Sequence, residues 1–178
     1  MTAGVLLRTP RPLDQAEFLR AVRSSRRLHH PWVTPPDSSA AFRRYVARGQ
    51  GAGHRSYLIC RRGTRELVGV VNLSEIVRGN FQSAYLGYYA FEPHAGKGLM
   101  HAGMALLIDL AFRKLRLHRL EANIQPENAA SRGLARSLGF RREGFSPRYL
   151  KINGRWRDHE RWALLAEDWK LPKGGARV

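Results

Sequence analysis

The 178-residue chain predicts one α+β domain, a mixed and mostly antiparallel sheet flanked by helices. Three features predict it. SYLICRR, ELVGVVNLSEIV and SAYLGYYAF are rich in β-branched and aromatic residues and are joined by the turn-like stretches RGT and VRGNF. GLMHAGMALLIDLAFRKLR is long, apolar and periodic at helical spacing. RYLKINGRWRDHERWALL carries Asn153-Gly154 between two strand-like arms, the composition of a two-residue hairpin turn.

In chain order, LDQAEFLRAVRSS predicts a helix capped by Asp14, with Glu17 three residues on and Phe18, Leu19 and Val22 on its apolar face. PWVTPPDSS has three prolines and reads as a loop. SSAAFRRYVARGQGAG predicts a second helix, and these two helices are expected to form a mobile flank beside a substrate site. The three strands follow as antiparallel neighbours. In the long helix Met100, Met104, Leu106, Leu107, Leu110 and Ala111 make the apolar repeat, and Arg113, Lys114 and Arg116 are expected to complement the dipole in its last turn. HRLEANI is a short strand. PENAASRGLARSLGF is a short helix, capped by Asn128 and stopped at Gly139.

The length suits a single domain over 1–178, and 43% hydrophobic with 25% charged residues is a globular composition. No run reaches the roughly 18 apolar residues of a membrane span. MTAGVLLRTPRPLDQAE has no signal-peptide pattern, so a cytoplasmic location is expected. The single cysteine, Cys60, lies on an apolar strand and reads as a core residue, not an acyl carrier. Seven histidines show no metal-ligand spacing, so no metal is implied. Trp156, Trp162 and Trp169 read as core and hairpin packing.

Thirty-one Lys and Arg against fourteen acids give a net charge of +17. Such a surface concentrates polyanions, among them RNA, ribosomes and polyphosphorylated cofactors. It is equally the charge of a solvated basic surface, and its spread along the chain names no partner.

The stretch AGKGL, residues 95 to 99, stands at a strand-to-helix junction. A P-loop fails here, because Phe91 stands where its first glycine belongs and Gly98 where Ser or Thr is required. A dinucleotide fingerprint fails at His101. Free N–H groups at a helix N-terminus do bind anions, and glycine lets them come close. A ligand-free tight turn fits the same residues.

YLGYYAFEPHAGKGLM, LHRLEANIQPENAASRGLARSLGF and EGFSPRYLKINGRWRDHE, taken together, resemble the GNAT acetyltransferases. Within them the chain is most similar to the RimJ/RimL group of ribosomal-protein N-terminal acetyltransferases, and is nearer to RimJ. The resemblance covers residues 67 to 169. It implies acetyl-CoA as donor, a primary amine as acceptor and direct attack in a ternary complex. It also implies a sheet whose middle strands splay, with pantetheine in the gap beside the backbone of Leu86 to Phe91, including Tyr88, Ala90 and Phe91. The pyrophosphate would sit on amides of Ala95, Gly96, Lys97, Gly98, Leu99 and Met100. Asn123 and Asn128 would hydrogen-bond the cofactor, and Ser131 would stand by the sulfur.

Departures from the family pattern occur at Pro93, at Ala102 and at Ala135, where many relatives carry a catalytic tyrosine. The glutamate base of RimL-type enzymes aligns with Leu150, which leaves Glu121, Tyr149, Asp158 or a water relay, with Glu121 named as the expected base. The resemblance implies a protein N-terminus as acceptor, with ribosome or RNA association through the basic surface, and a monomer or homodimer. Acetylation of a small amine, or a basic RNA-binding module with this fold and no activity, are the alternatives.

Overall fold

The structure is a computed structural model and describes residues 4–170. Its elements are β1 (Val5–Arg8), α1 (Gln15–Ser24), α2 (Arg26–His29), α3 (Ser39–Arg48), β2 (Arg55–Arg61), β3 (Leu67–Val77), β4 (Ser83–Ala90), α4 (Leu99–Arg113), β5 (Arg119–Ile124), α5 (Ala129–Ser137), β6 (Arg141–Ile152) and β7 (Arg155–Leu165). They build one seven-stranded sheet in the order β1-β2-β3-β4-β5-β7-β6. Every pairing is antiparallel except β4 with β5.

That exception shapes the molecule. β4 and β5 pair only from Ser83–Arg119 to Tyr85–Glu121. β3 stays paired with β4 as far as Ala90, and β7 with β5 as far as Ile124. Beyond Tyr85 the two middle strands therefore part, and each leaves one backbone edge without a strand partner.

Both faces of the sheet are covered. Alternation along the strands sends Val68, Val71, Leu86, Leu120 and Ala122 to a core under α4, where Met104, Leu107, Ile108 and Ala111 are buried. The opposite face takes Leu58, Cys60, Val70, Tyr89 and Phe91 against Phe18, Val22, Phe42 and Tyr45 of α1 and α3. Both flanking helices thus pack on the sheet. Cys60 is fully buried, and burial pushes its thiol pKa up. Among the described residues no helix is long and apolar enough to cross a membrane.

Several local expectations change. β1, too short to stand out beside the arginines and prolines that follow, adds an edge strand to β2. Asp14 does not cap α1 with its side chain. Its carboxylate instead accepts from Arg8 Nη1 and from the Arg11 backbone N–H, each at 2.7 Å, which fastens β1 to the turn before α1. α4 closes at Arg113, so only that arginine lies in the last turn, where it pairs with Asp109 at 2.6 Å. β6 begins at Arg141, well before the hairpin motif. Trp162 is buried, but Trp156 is 61% exposed and does not pack in the hairpin.

Candidate active site

The splay between β4 and β5 opens into a cavity of about 490 Å³. One end lies over the glycine turn. Gly96 and Gly98 have φ of +73° and +74°, a region L side chains rarely adopt, and a Cβ on either would meet no protein atom within 4 Å. Gly98 precedes α4, whose first helical bond to it comes from the Ala102 N–H at 3.1 Å. The amides of Leu99, Met100 and His101 thus lack helical acceptors, at the positive end of a fifteen-residue helix. The turn presents donors with open space before them.

The middle of the cavity runs along β4. The Phe91 N–H donates to Val68 at 2.8 Å, so the alternation of a strand turns the amides of Tyr88 and Ala90 to the unpaired edge. The Ala90 carbonyl on that edge accepts from His29 Nε2 at 2.8 Å, which ties α2 to the strand. Burial lowers the His29 pKa and keeps the ring neutral.

Opposite β4 stands the N-terminus of α5. Asn128 caps it, accepting from the Ser131 N–H at 3.0 Å, so its side chain is committed to the helix as well as facing the cavity. Ser131 Oγ lies 2.8 Å from the Tyr88 hydroxyl. Burial pushes the Tyr88 phenol up to about 12, against the pull of the Ser131 hydroxyl. The phenol therefore stays protonated; either hydroxyl can donate within the pair, and the Tyr88 O–H also has the Ser131 backbone carbonyl as an acceptor at 3.3 Å. The family's usual tyrosine position, Ala135, is fully buried in the core.

At the far end the cavity is walled by Leu150, Ile152 and His159 of the last hairpin and by Trp32 and Val33 of the proline-rich loop. Hairpin tip and loop meet directly, because Thr34 donates to Asn153 Oδ1 at 2.6 Å and Asn153 Nδ2 to the Pro31 carbonyl at 3.3 Å. A second groove of about 320 Å³ adjoins there, sharing Trp32 and Gln125 and edged by Glu127, Trp156 and Asp158.

Of the residues singled out in the sequence, Tyr88, Ala90, Ala95, Gly96, Gly98, Met100, Asn123, Asn128 and Ser131 line this one cavity. Lys97 and Leu99 flank its mouth but do not line it. Phe91 does not reach it: its side chain is fully buried in the core, and its N–H and C=O bond Val68 and His94. Glu121 does not reach it either. Its carboxylate accepts from Arg119 Nε at 2.7 Å, and Arg119 also pairs with Glu143, an ion-pair cluster on the strand's outward face. His29, Trp32 and His159 line the cavity without a role expected from the sequence, although His159 ends the WRDH of the resembling stretch. Among the described residues no His, Cys, Asp and Glu cluster is arranged to hold a metal ion.

Residues 5–141 match the family described as "Acetyltransferase (GNAT) domain". The chain is 43% identical over 105 residues to the Escherichia coli protein named [Ribosomal protein uS5]-alanine N-acetyltransferase, an alignment covering 59% of this chain and 54% of that one. It is 31% identical over 103 residues to a Vibrio cholerae spermidine N(1)-acetyltransferase, covering 57% and 58%. The matches thus span little more than half the length of these relatives. The solved structure of Mycobacterium smegmatis RimJ in complex with CoA-disulfide superposes with a TM-score of 0.85 at 31% identity, covering 97% of this chain and 86% of that one. The chain belongs to the acetyltransferase (GNAT) domain family.

Proposed function

We propose that the protein transfers acetyl from acetyl-CoA to the N-terminal α-amine of a protein, by direct attack in a ternary complex. The observation that carries this reading is the parting of β4 from β5 over the glycine turn, with a hydroxyl pair at its midpoint. Three groups fit acetyl-CoA in order: anion-accepting amides at the turn, an unpaired strand edge, and a protonated serine. The solved relative holding CoA-disulfide supports the same assignment.

The amides of the turn and of the first turn of α4 hold the pyrophosphate. The open edge at Tyr88 and Ala90 pairs with the pantetheine amides as an added strand would. Acetyl-CoA supplies an activated thioester carbonyl. Ser131 Oγ donates a proton to the sulfur as the C–S bond breaks and regains one from water once CoA leaves, while Tyr88, protonated and buried, keeps that serine oriented. A backbone N–H on the open edge of β4 polarises the carbonyl oxygen.

The acceptor side is the groove beside Trp32 and Trp156. It adjoins the cavity at Trp32 and Gln125, so it suits a chain end with residues trailing behind the amine. Glu127 and Asp158 at its edge place negative charge where a cationic amine arrives, within a chain of net charge +17. The named activity of the Escherichia coli relative points to a ribosomal protein as the acceptor. The basic remainder of the surface then favours docking on an RNA-rich particle.

The test is thiol release from acetyl-CoA with peptides beginning in Ala, Ser or Met, beside spermidine and other small amines. Turnover with one peptide class and little with the polyamines is expected. Turnover with polyamines alone would replace the peptide reading by a small-amine one. Saturable acetyl-CoA binding with no turnover on any amine, ribosomal subunits included, would leave a binding module.

A further inference from the structure

The amine must lose a proton as it attacks, and the residue expected to take it, Glu121, is held outside the cavity by Arg119. Of the last hairpin's residues that line the cavity, one is titratable. His159 on β7 is 3% exposed and lines the cavity beside Leu150 and Ile152. Its Nδ1 lies 2.9 Å from the Arg157 carbonyl, so Nδ1 carries the hydrogen. That fixes the tautomer and leaves Nε2 with a lone pair and, among the described residues, no partner.

A second acceptor lies close by. Asn123 pairs with Arg161 across β5 and β7, which sets it diagonal to His159 on the same sheet face. Its Oδ1 is buried without a hydrogen-bond partner and its side chain lines the cavity. A buried carbonyl oxygen with no donor is costly unless a ligand supplies one. A primary amine brings the donors that both atoms lack.

We infer that His159 is the proton acceptor of the transfer, with Nε2 taking the proton from the attacking amine while Asn123 Oδ1 holds a second N–H. This rests on the amine-acetylating reading above and extends it to a residue. The N–C bond forms as the C–S bond breaks and the electron pair ends on sulfur, which takes its proton from Ser131. The proton on Nε2 then leaves to water through the adjoining groove.

The surroundings suit that work. Burial lowers the His159 pKa and holds the ring neutral. The Arg157 carbonyl, Asp158 beside it and Glu127 from the loop before α5 act in the opposite sense and favour the imidazolium once formed. Tyr149 faces the ring from β6, 6.3 Å away between centroids. Of the other cavity histidines, His101 stands in the first turn of α4 by the glycine turn, and His29 spends its Nε2 on the Ala90 carbonyl.

The test compares wild type with His159→Gln and His159→Ala on whichever amine the wild type acetylates best. In wild type kcat falls at low pH through an ionisation below the usual 6.5 of histidine. His159→Gln should lose that limb and roughly a hundredfold or more of kcat while its acetyl-CoA Kd stays near wild type. Added imidazole should restore part of the rate to His159→Ala and none to His159→Gln. Wild type labelled with ¹⁵N in histidine should show one unprotonated Nε2 that shifts when amine joins the CoA complex, a readout independent of how the variants fold. An unchanged limb in His159→Gln, no imidazole rescue, or no shifting ring nitrogen would overturn the inference. Those results would leave the acetyltransferase reading standing, whereas a wild type that acetylates no amine would overturn both.

Discussion

Gly98→Ala separates backbone strain from cofactor contact. The residue has φ +74°, where an added Cβ costs about 1 to 2 kcal/mol. No protein atom lies within 4 Å of that Cβ, so no packing clash adds to the strain. For a domain of this size that is a fall in Tm of roughly 2 to 8 °C. Gly79, in the turn between β3 and β4, has φ +65° and the same open surroundings but does not line the cavity. Gly79→Ala should therefore lose a similar amount of stability. The two variants should differ only in the response to acetyl-CoA. At a hundred times Kd the ligand adds about 2.7 kcal/mol to stability. A methyl on the amide cradle that displaces one charge-assisted hydrogen bond costs about 1.5 to 3 kcal/mol, at least tenfold in Kd. The ligand-induced rise in Tm should then fall by about half or more in Gly98→Ala and stay unchanged in Gly79→Ala. Thermal unfolding with and without acetyl-CoA reads both terms. Equal ligand-induced shifts in the two variants would refute the placement of the pyrophosphate on this turn.

Other outcomes follow from the same geometry. Ser131→Ala should lower kcat by about a hundredfold with the KM for acetyl-CoA little changed, and Tyr88→Phe by about tenfold; steady-state kinetics with equal losses in KM would place the pair in binding instead. Glu160 is buried between Arg132 and Arg142, each at 3.3 Å, and accepts from Trp162 Nε1 at 3.0 Å. Glu160→Gln should cost about 1 to 3 kcal/mol in urea unfolding, because it weakens the tie between α5 and β7. His29, His54 and His159 have pKa values lowered by burial. Their folded values lie below the unfolded one near 6.5, so the unfolded chain takes up protons first as pH falls. Stability should drop progressively below pH 6.5 and level off beneath the folded values; a urea midpoint at pH 5 equal to that at pH 7 would contradict this. Binding to ribosomal subunits should weaken steeply with salt, and an affinity flat between 50 and 200 mM would argue against charge-driven docking.

Local chemistry made much of this fold legible. Asn153-Gly154 adopts positive φ at both positions, as its composition demands, and closes the β6–β7 hairpin. Asn128 caps α5 because its side chain reaches the orphan amide three residues on, a relation contained within four residues of sequence. The glycine turn was legible for the same reason. What stayed hidden depends on residues far apart in the chain. Tyr88 and Ser131 are 43 positions apart, and their hydroxyls meet only because β4 and β5 part. Thr34 and Asn153 are 119 apart, and no spacing rule predicts that the proline-rich loop roofs the hairpin. Glu121 shows the converse failure. Alternation correctly turned it away from Leu120, but could not show that Arg119 on the same face claims its carboxylate.

Acetyl transfer to a chain's α-amine can be located directly on the product. The most direct measurement gives the protein acetyl-CoA and a peptide carrying a free N-terminal alanine and two internal lysines, then locates the acetyl group by fragment mass spectrometry. One acetyl is expected, on the α-nitrogen, and none on an otherwise identical peptide with a blocked N-terminus. Acetyl on the lysine side chains, or equal modification of the blocked peptide, would contradict it.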